Sequence, residues 1–101
     1  MGTASYLLVG TDEAMRTTFG STCHGAGRLM SRTQAIRSFR AERIVKDLGE
    51  RGIYVRGESK QVLAEEAPQA YKDIDEVVDV ADRSGISRKV ARLVPMGVMK
   101  G

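Results

Sequence analysis

The sequence holds no tryptophan, two prolines, one cysteine and one histidine in 101 residues, and only 5% of its side chains are aromatic. Each scarcity removes a class of protein. The lone Cys23 excludes an intramolecular disulfide and points to a reducing compartment, so a cytoplasmic protein is expected. One cysteine and one histidine cannot supply the four ligands of a zinc finger. No apolar run approaches the roughly 18–20 residues needed to cross a bilayer, and no signal-type hydrophobic stretch follows a basic start. Met1-Gly2 opens like a myristoylation site, but Tyr6 stands where Ser or Thr is required.

What is present suits one small domain over residues 1–101 with no internal boundary, repeat or linker. The apolar share of 42% allows a core, though a chain this short buries only roughly 65% of its extended surface. Charge is placed unevenly. Residues 28–46 carry Arg28, Arg32, Arg37, Arg40, Arg43 and Lys46 against Glu42 alone. Residues 58–82 carry eight acids against Lys60 and Lys72, and residues 83–101 carry five bases and no acid. The basic blocks read as a phosphate-binding surface, as partners for the acidic segment, or as solvated helical faces, the last being the commonest outcome.

Local patterns predict short strands interleaved with three to four helices, an α+β fold. Tyr6-Leu7-Leu8-Val9 is a strand-like run ended by Gly10, and Thr11-Asp12-Glu13 starts a helix that places Met15 and Phe19 on one face before Gly20. Ser31 and Gln34 form a capping box ahead of an apolar stripe (Ile36, Phe39, Ile44, Leu48) with a break near Ser38-Phe39. Ile53-Tyr54-Val55 is a brief strand. Asp73 and Glu76 make a second capping box, followed by Ile74, Val77, Val78 and Ala81 at helical spacing and by Gly85 as the C-terminal cap. Asp75, Asp79 and Asp82 fall on the opposite, solvated face of that helix. Val90 to Val98 alternates loosely around Pro95, as a short or edge strand does.

The chemistry-bearing segment is Gly20-Ser21-Thr22-Cys23-His24-Gly25-Ala26-Gly27-Arg28. Small residues let backbone N–H groups approach an anion, and Arg28 has the fork geometry to clamp phosphate oxygens bidentately. A neutral imidazole at His24 is a competent nucleophile on phosphorus. The bland reading is a Gly-rich turn with a solvated or hydrogen-bonded histidine, which is the more frequent meaning of so short a motif. Cys23 reads as a buried, inert thiol, because neighbours in an extended backbone point apart and rarely form a Cys–His dyad. Tyr71 is either a core residue or a stacking one. Lys100 follows an apolar stretch (Leu93, Val94, Met96, Val98, Met99), which suggests a packed tail carrying the lysine to a defined place.

Six segments resemble the C-terminal part of RtcB-type RNA-splicing ligases. They are Met1-Gly2-Thr3-Ala4-Ser5-Tyr6, the Gly20 to Arg28 loop, Met30-Ser31-Arg32, Glu66-Ala67-Pro68, Tyr71-Lys72-Asp73 and Pro95-Met96-Gly97-Val98-Met99-Lys100-Gly101. The resemblance runs the whole length and implies a piece of a larger fold: either a fragment (a split, truncated or misassigned reading frame) or a chain whose partner supplies the rest of the ligase body. It implies a GTP-using, Mn²⁺-dependent enzyme of tRNA splicing and RNA repair that joins RNA 3′-phosphate or 2′,3′-cyclic phosphate ends to 5′-hydroxyl ends. In that family a histidine matching His24 carries GMP. Arg28 matches a residue serving the phosphates, and Ala26 and Gly27 match backbone contacts to the nucleotide. Ser5 and Lys100 match residues that hydrogen-bond guanine, and Tyr71 matches the one stacked on it. The family's Mn²⁺ ligands lie upstream of the matched region, and an archease-type activator is an implied partner. By itself the chain is expected to be inactive and to self-associate through apolar surface shaped for the missing body. The alternative is a stand-alone basic module that binds RNA or another protein without catalysis.

Overall fold

The computed structural model describes residues 1–101. In chain order the elements are β1 (Ser5–Gly10), α1 (Asp12–Thr17), α2 (Arg32–Ser38), α3 (Ala41–Glu50), β2 (Tyr54–Gly57), α4 (Lys60–Glu65), a 3₁₀ turn (Pro68–Ala70), α5 (Ile74–Arg83), β3 (Ser87–Leu93) and β4 (Gly97–Lys100). This is the α+β class that the pattern of short strands and helices predicts. The chain divides into two compact units: residues 1–3, 28–71 and 94–101 form the first, and residues 4–27 and 72–93 form the second.

In the first unit, Ser31 accepts a hydrogen bond from the Gln34 N–H and starts α2, as the capping box predicts. Phe39 then adopts an extended conformation that separates α2 from α3. Ile44 and Leu48, four apart on α3, pack with Ile53 and Val55, Leu63 of α4 and Ala67 to form the core, with Met1, Phe39 and Val98 packed against it. Strands β2 and β4 pair in parallel with Val55 opposite Val98, so the chain's last residues are tied into the core. The tail is therefore packed, but through Val98 alone: Leu93, Val94, Met96 and Met99 are exposed. Helix α4 escapes the periodicity argument because it is only six residues long. Its start is set by Ser59, whose hydroxyl accepts from the Val62 N–H.

In the second unit, β1 and β3 run antiparallel with Ser5 opposite Leu93 and an irregularity between Leu7 and Leu8. Thr11 begins α1 by accepting from the Ala14 N–H, and its hydroxyl donates to the Gly85 carbonyl at 2.5 Å. Gly85 has φ +85°, the left-handed conformation expected just past a helix end. Helix α1 stops at Thr17, so it contains Met15 but not Phe19, which the spacing predicts on the same face. The Ala14 carbonyl accepts from the N–H groups of both Thr18 and Gly20, which turns the chain and leaves Phe19 at φ +54° and 96% exposed. The acidic face of α5 also departs from expectation. Asp75, Asp79 and Asp82 are not simply solvated but pair with Arg92, Lys89 and Arg88 of β3. The i, i+4, i+7 spacing on the helix meets basic side chains on the strand against which it packs.

Candidate functional site

The first unit gathers four polar side chains from three parts of its sequence. The backbone of Arg28 bridges to that of Tyr71 in antiparallel fashion, reinforced by the Leu29 N–H donating to the Ala70 carbonyl at 2.8 Å. Pro68 opens the 3₁₀ turn that brings Tyr71 back toward Glu66. The Tyr71 hydroxyl donates to Glu66 Oε2 at 2.5 Å, and Arg28 Nη1 donates to the same hydroxyl at 2.9 Å. The guanidinium of Arg28 lies 4.7 Å from the Tyr71 ring centroid, a cation–π contact. Lys100, the last residue of β4, places Nζ 3.8 Å from Glu66 Oε2.

The electrostatics follow from the packing. Burial pushes the Glu66 carboxyl up, but the Tyr71 hydroxyl and the charges of Lys100, Arg28 and Arg32 outweigh it and hold the carboxyl below its usual range. Burial and then the Glu66 carboxylate push the Tyr71 phenol up, so it stays protonated and able to donate. Arg28 spends its donors within the chain: Nε to the Met30 carbonyl, Nη1 to Tyr71 and Glu66, and Nη2 to the Glu65 carbonyl. Of its five N–H bonds, one on Nη2 remains. While these bonds hold, the bidentate phosphate clamp expected from the sequence is not available. The long Lys100–Glu66 separation, by contrast, exceeds hydrogen-bond distance, so this carboxylate leaves the ammonium donors of Lys100 free.

The other sequence-predicted residues belong to the second unit. His24 is exposed on the loop between α1 and Arg28, with Gly25 beside it and half-buried Ala26 following. The loop is anchored at both ends: the Thr22 hydroxyl donates to the Ser87 hydroxyl at 3.3 Å, and the Lys72 N–H donates to the Gly27 carbonyl at 3.0 Å. Gly27 has φ +76°, a conformation that favours glycine. Cys23 is a free, half-buried thiol, less enclosed than the sequence reading has it. Ser5 is exposed at the start of β1. A cavity of about 440 Å³ in this unit is lined by Thr11, Asp12, Met15 and Thr22 among others, and none of the predicted site residues lines it. Thus Arg28, Tyr71 and Lys100 form one cluster, while Ser5, His24, Ala26 and Gly27 sit in the other unit.

Sequence reasoning missed Glu66 as a site residue. Its signal was the Glu66-Ala67-Pro68 turn five residues from Tyr71, but nothing in the spacing links it to Arg28 or Lys100. No three His, Cys, Asp or Glu side chains converge to hold a metal ion. Mn²⁺ favours oxygen ligands, and the chain's carboxylates are not gathered into such a set, so its own residues do not fit a Mn²⁺ centre. No helix is long and apolar enough to cross a membrane.

Fold and site together define a class: an α+β chain with a half-buried Arg–Tyr–Glu–Lys cluster and an exposed histidine on a glycine-rich loop. The family described as tRNA-splicing ligase RtcB matches residues 1–101, and the chain belongs to that family. It is 59% identical over 101 residues to the tRNA-splicing ligase RtcB of Pyrococcus horikoshii, covering all of this chain and 12% of that protein. The same identity holds against the Archaeoglobus fulgidus protein of that name, of which it covers 21%. Against the Methanocaldococcus jannaschii protein it is 54% identical and covers 10%. The chain thus spans about a tenth to a fifth of the length of the curated relatives it matches.

Proposed function

We propose that this chain is the nucleotide-handling segment of a GTP-dependent ligase that joins RNA 3′-phosphate or 2′,3′-cyclic phosphate ends to 5′-hydroxyl ends. The observation that carries the reading is the Arg28–Tyr71–Glu66–Lys100 cluster, in a chain matched to an RNA-ligase family from its first residue to its last. Tyr71 offers guanine a flat apolar surface, and since Arg28 covers one ring face, the base stacks on the other. Lys100 donates to an acceptor on the base, with Ser5 as a further hydrogen-bonding group. Ala26 and Gly27 approach the phosphates through their backbone, and Arg28 contributes its remaining N–H.

The imidazole of His24 attacks the α-phosphorus of GTP. An N–P bond forms, the α–β phosphoanhydride bond breaks, and pyrophosphate leaves. The RNA 3′-phosphate, which a cyclic end becomes when water breaks its P–O2′ bond, then takes GMP from His24, restoring the imidazole and creating an anhydride whose GMP half is a good leaving group. Attack by the 5′-hydroxyl on the RNA phosphorus closes the phosphodiester and releases GMP. A covalent carrier divides one hard step into easier ones. Mn²⁺, whose ligands the resemblance puts outside this chain, would supply charge neutralisation of the polyphosphate. As partners we propose the remaining ligase body, the two RNA ends and an archease-type activator, in the cytoplasm.

The deciding experiment joins this segment to the remaining length of the Archaeoglobus fulgidus relative and incubates it with α-labelled GTP and Mn²⁺. A labelled adduct that disappears in His24→Ala supports the reading. Undiminished ligation by His24→Ala overturns it in favour of RNA binding without chemistry. The 101-residue chain alone, tested in parallel, is expected to form no adduct.

A further inference from the structure

Glu66 connects the two side chains that the proposed function places on the base. Its Oε2 accepts the Tyr71 hydroxyl at 2.5 Å and faces Lys100 Nζ at 3.8 Å. Its Oε1 faces Arg28 Nη1 at 3.4 Å and Arg32 Nε at 3.9 Å. With 15% of its side chain exposed, it is a largely buried anion ringed by three cations and a phenol. The carboxylate sits at the end of α4, held there by the Glu66 N–H donating to the Val62 carbonyl at 3.1 Å. Tyr71 lies beyond the Pro68 turn and Lys100 on β4, so one carboxylate ties together elements that share no local sequence.

We propose that Glu66 is the positioning residue of the nucleotide-binding surface, fixing the plane of the Tyr71 ring and the direction of the Lys100 ammonium, and so setting affinity for guanine without contacting it. The inference rests on the reading of Tyr71 and Lys100 as base contacts. The physical reason is rotamer restriction. A tyrosine ring turns about two side-chain bonds, and a hydroxyl anchored on an ionised acceptor stops that rotation before the base arrives. A lysine has four such bonds, and a nearby anion restrains it while leaving its N–H groups available. Both costs are met in the free protein, which lowers the entropic penalty of binding.

Glu66→Gln tests this, because the amide keeps the shape and an acceptor for Tyr71 but removes the charge that restrains Lys100 and Arg28. In the complete ligase assembled from this segment and the relative's remaining length, adduct formation is measured against GTP concentration. Glu66→Gln is expected to raise KM for GTP about tenfold, with the maximal rate of adduct formation within about twofold of the parent. In a Lys100→Met background the same substitution is expected to raise KM by only about twofold, because Glu66 then has less to position. Glu66→Asp, which keeps the charge, is expected to recover part of the loss. An unchanged KM in Glu66→Gln, an equal effect with and without Lys100, or a fall in maximal rate at constant KM would each overturn the proposal. A parent that never forms the adduct overturns the proposed function itself. An adduct whose KM ignores Glu66 overturns only the role given to Glu66.

Discussion

Arg28 reaches Tyr71 twice: its guanidinium stacks 4.7 Å from the ring centroid, and its Nη1 donates to the phenol oxygen at 2.9 Å. The 3₁₀ turn and the Arg28 segment are thereby clamped to each other by both ring and hydroxyl. Arg28→Lys keeps the charge but loses the flat stacking surface and most of the fork of donors. It is expected to lower the stability of the chain by about 2 kcal/mol, and Arg28→Ala by more, because the Glu65 carbonyl and Glu66 carboxylate lose partners. Urea denaturation followed by circular dichroism checks this; equal midpoints for parent and Arg28→Lys would contradict it.

Stability has an acid edge. The Glu66 carboxyl is held below its ordinary value, as are Asp75, by Arg92 and then Tyr6, and Asp82, chiefly by the Lys89 backbone N–H. A folded-state value below the unfolded one contributes stability that is present above the unfolded pKa and disappears as pH falls through the folded one. Unfolding free energy is therefore expected to decline below pH 4.5 for Glu66 and below 3.8 for the two aspartates, the ordinary values of these groups. Glu66→Gln should flatten the upper part of that decline in an acid titration of thermal midpoints.

An alkaline edge has the opposite sign. Tyr71, pushed up by burial and by Glu66, and Tyr6, pushed up by its hydrogen bond to Asp75, favour the protonated phenol in the folded state. Their contribution is complete below the ordinary value of 10.0 and is lost as pH rises through the folded-state values. Tyr71→Phe should remove part of this alkaline sensitivity, read as thermal midpoint against pH.

Gly57 closes β2 against α4 with no room for a methyl group. A Cβ there would stand 2.5 Å from Leu63 Cγ and 2.6 Å from its Cδ2. Leu63 belongs to the core and cannot swing into solvent without exposing it. Gly57→Ala is expected to cost about 1–3 kcal/mol by overpacking. Gly49→Ala, where nothing lies within 4 Å of the new atom, is the control and should be neutral or slightly stabilising in the same denaturation experiment.

One face of the β1–β3 ribbon is apolar and uncovered within its unit. Leu7 and Leu93 are 55% and 53% exposed and lie on the same side, since Leu93 pairs with Ser5, two residues before Leu7. The isolated chain should therefore associate as its concentration rises. Leu7→Lys with Leu93→Lys should shift sedimentation toward the monomer. A parent chain whose mass by light scattering does not change with dilution would rule the association out.

Much of the architecture was legible locally because its causes are local. Ser31 and Gln34 predicted the start of α2, Ser38-Phe39 the break before α3, and Asp73 and Gly85 the two ends of α5. Helix α1 was overextended because the pattern of Met15 and Phe19 said nothing of the Ala14 carbonyl capturing the Gly20 N–H. Helix α4 was missed because six residues are too few for a period to show. The candidate residues were found by motif, while Glu66 was found only from side-chain distances. Its three cations come from residues 28, 32 and 100, and no window of sequence contains them all.

The sequence by itself determined the membership of this chain in an RNA-ligase family, its α+β class and most of its helix ends, since these follow from motifs and from hydrogen bonds between neighbours. Tertiary structure alone decided that Arg28 turns inward to hold Tyr71 and that the aspartates of α5 bind β3. It alone showed Lys100 meeting Glu66. Coulomb and hydrogen-bond energies depend on separation in space, and chain order does not specify that separation until the core has packed.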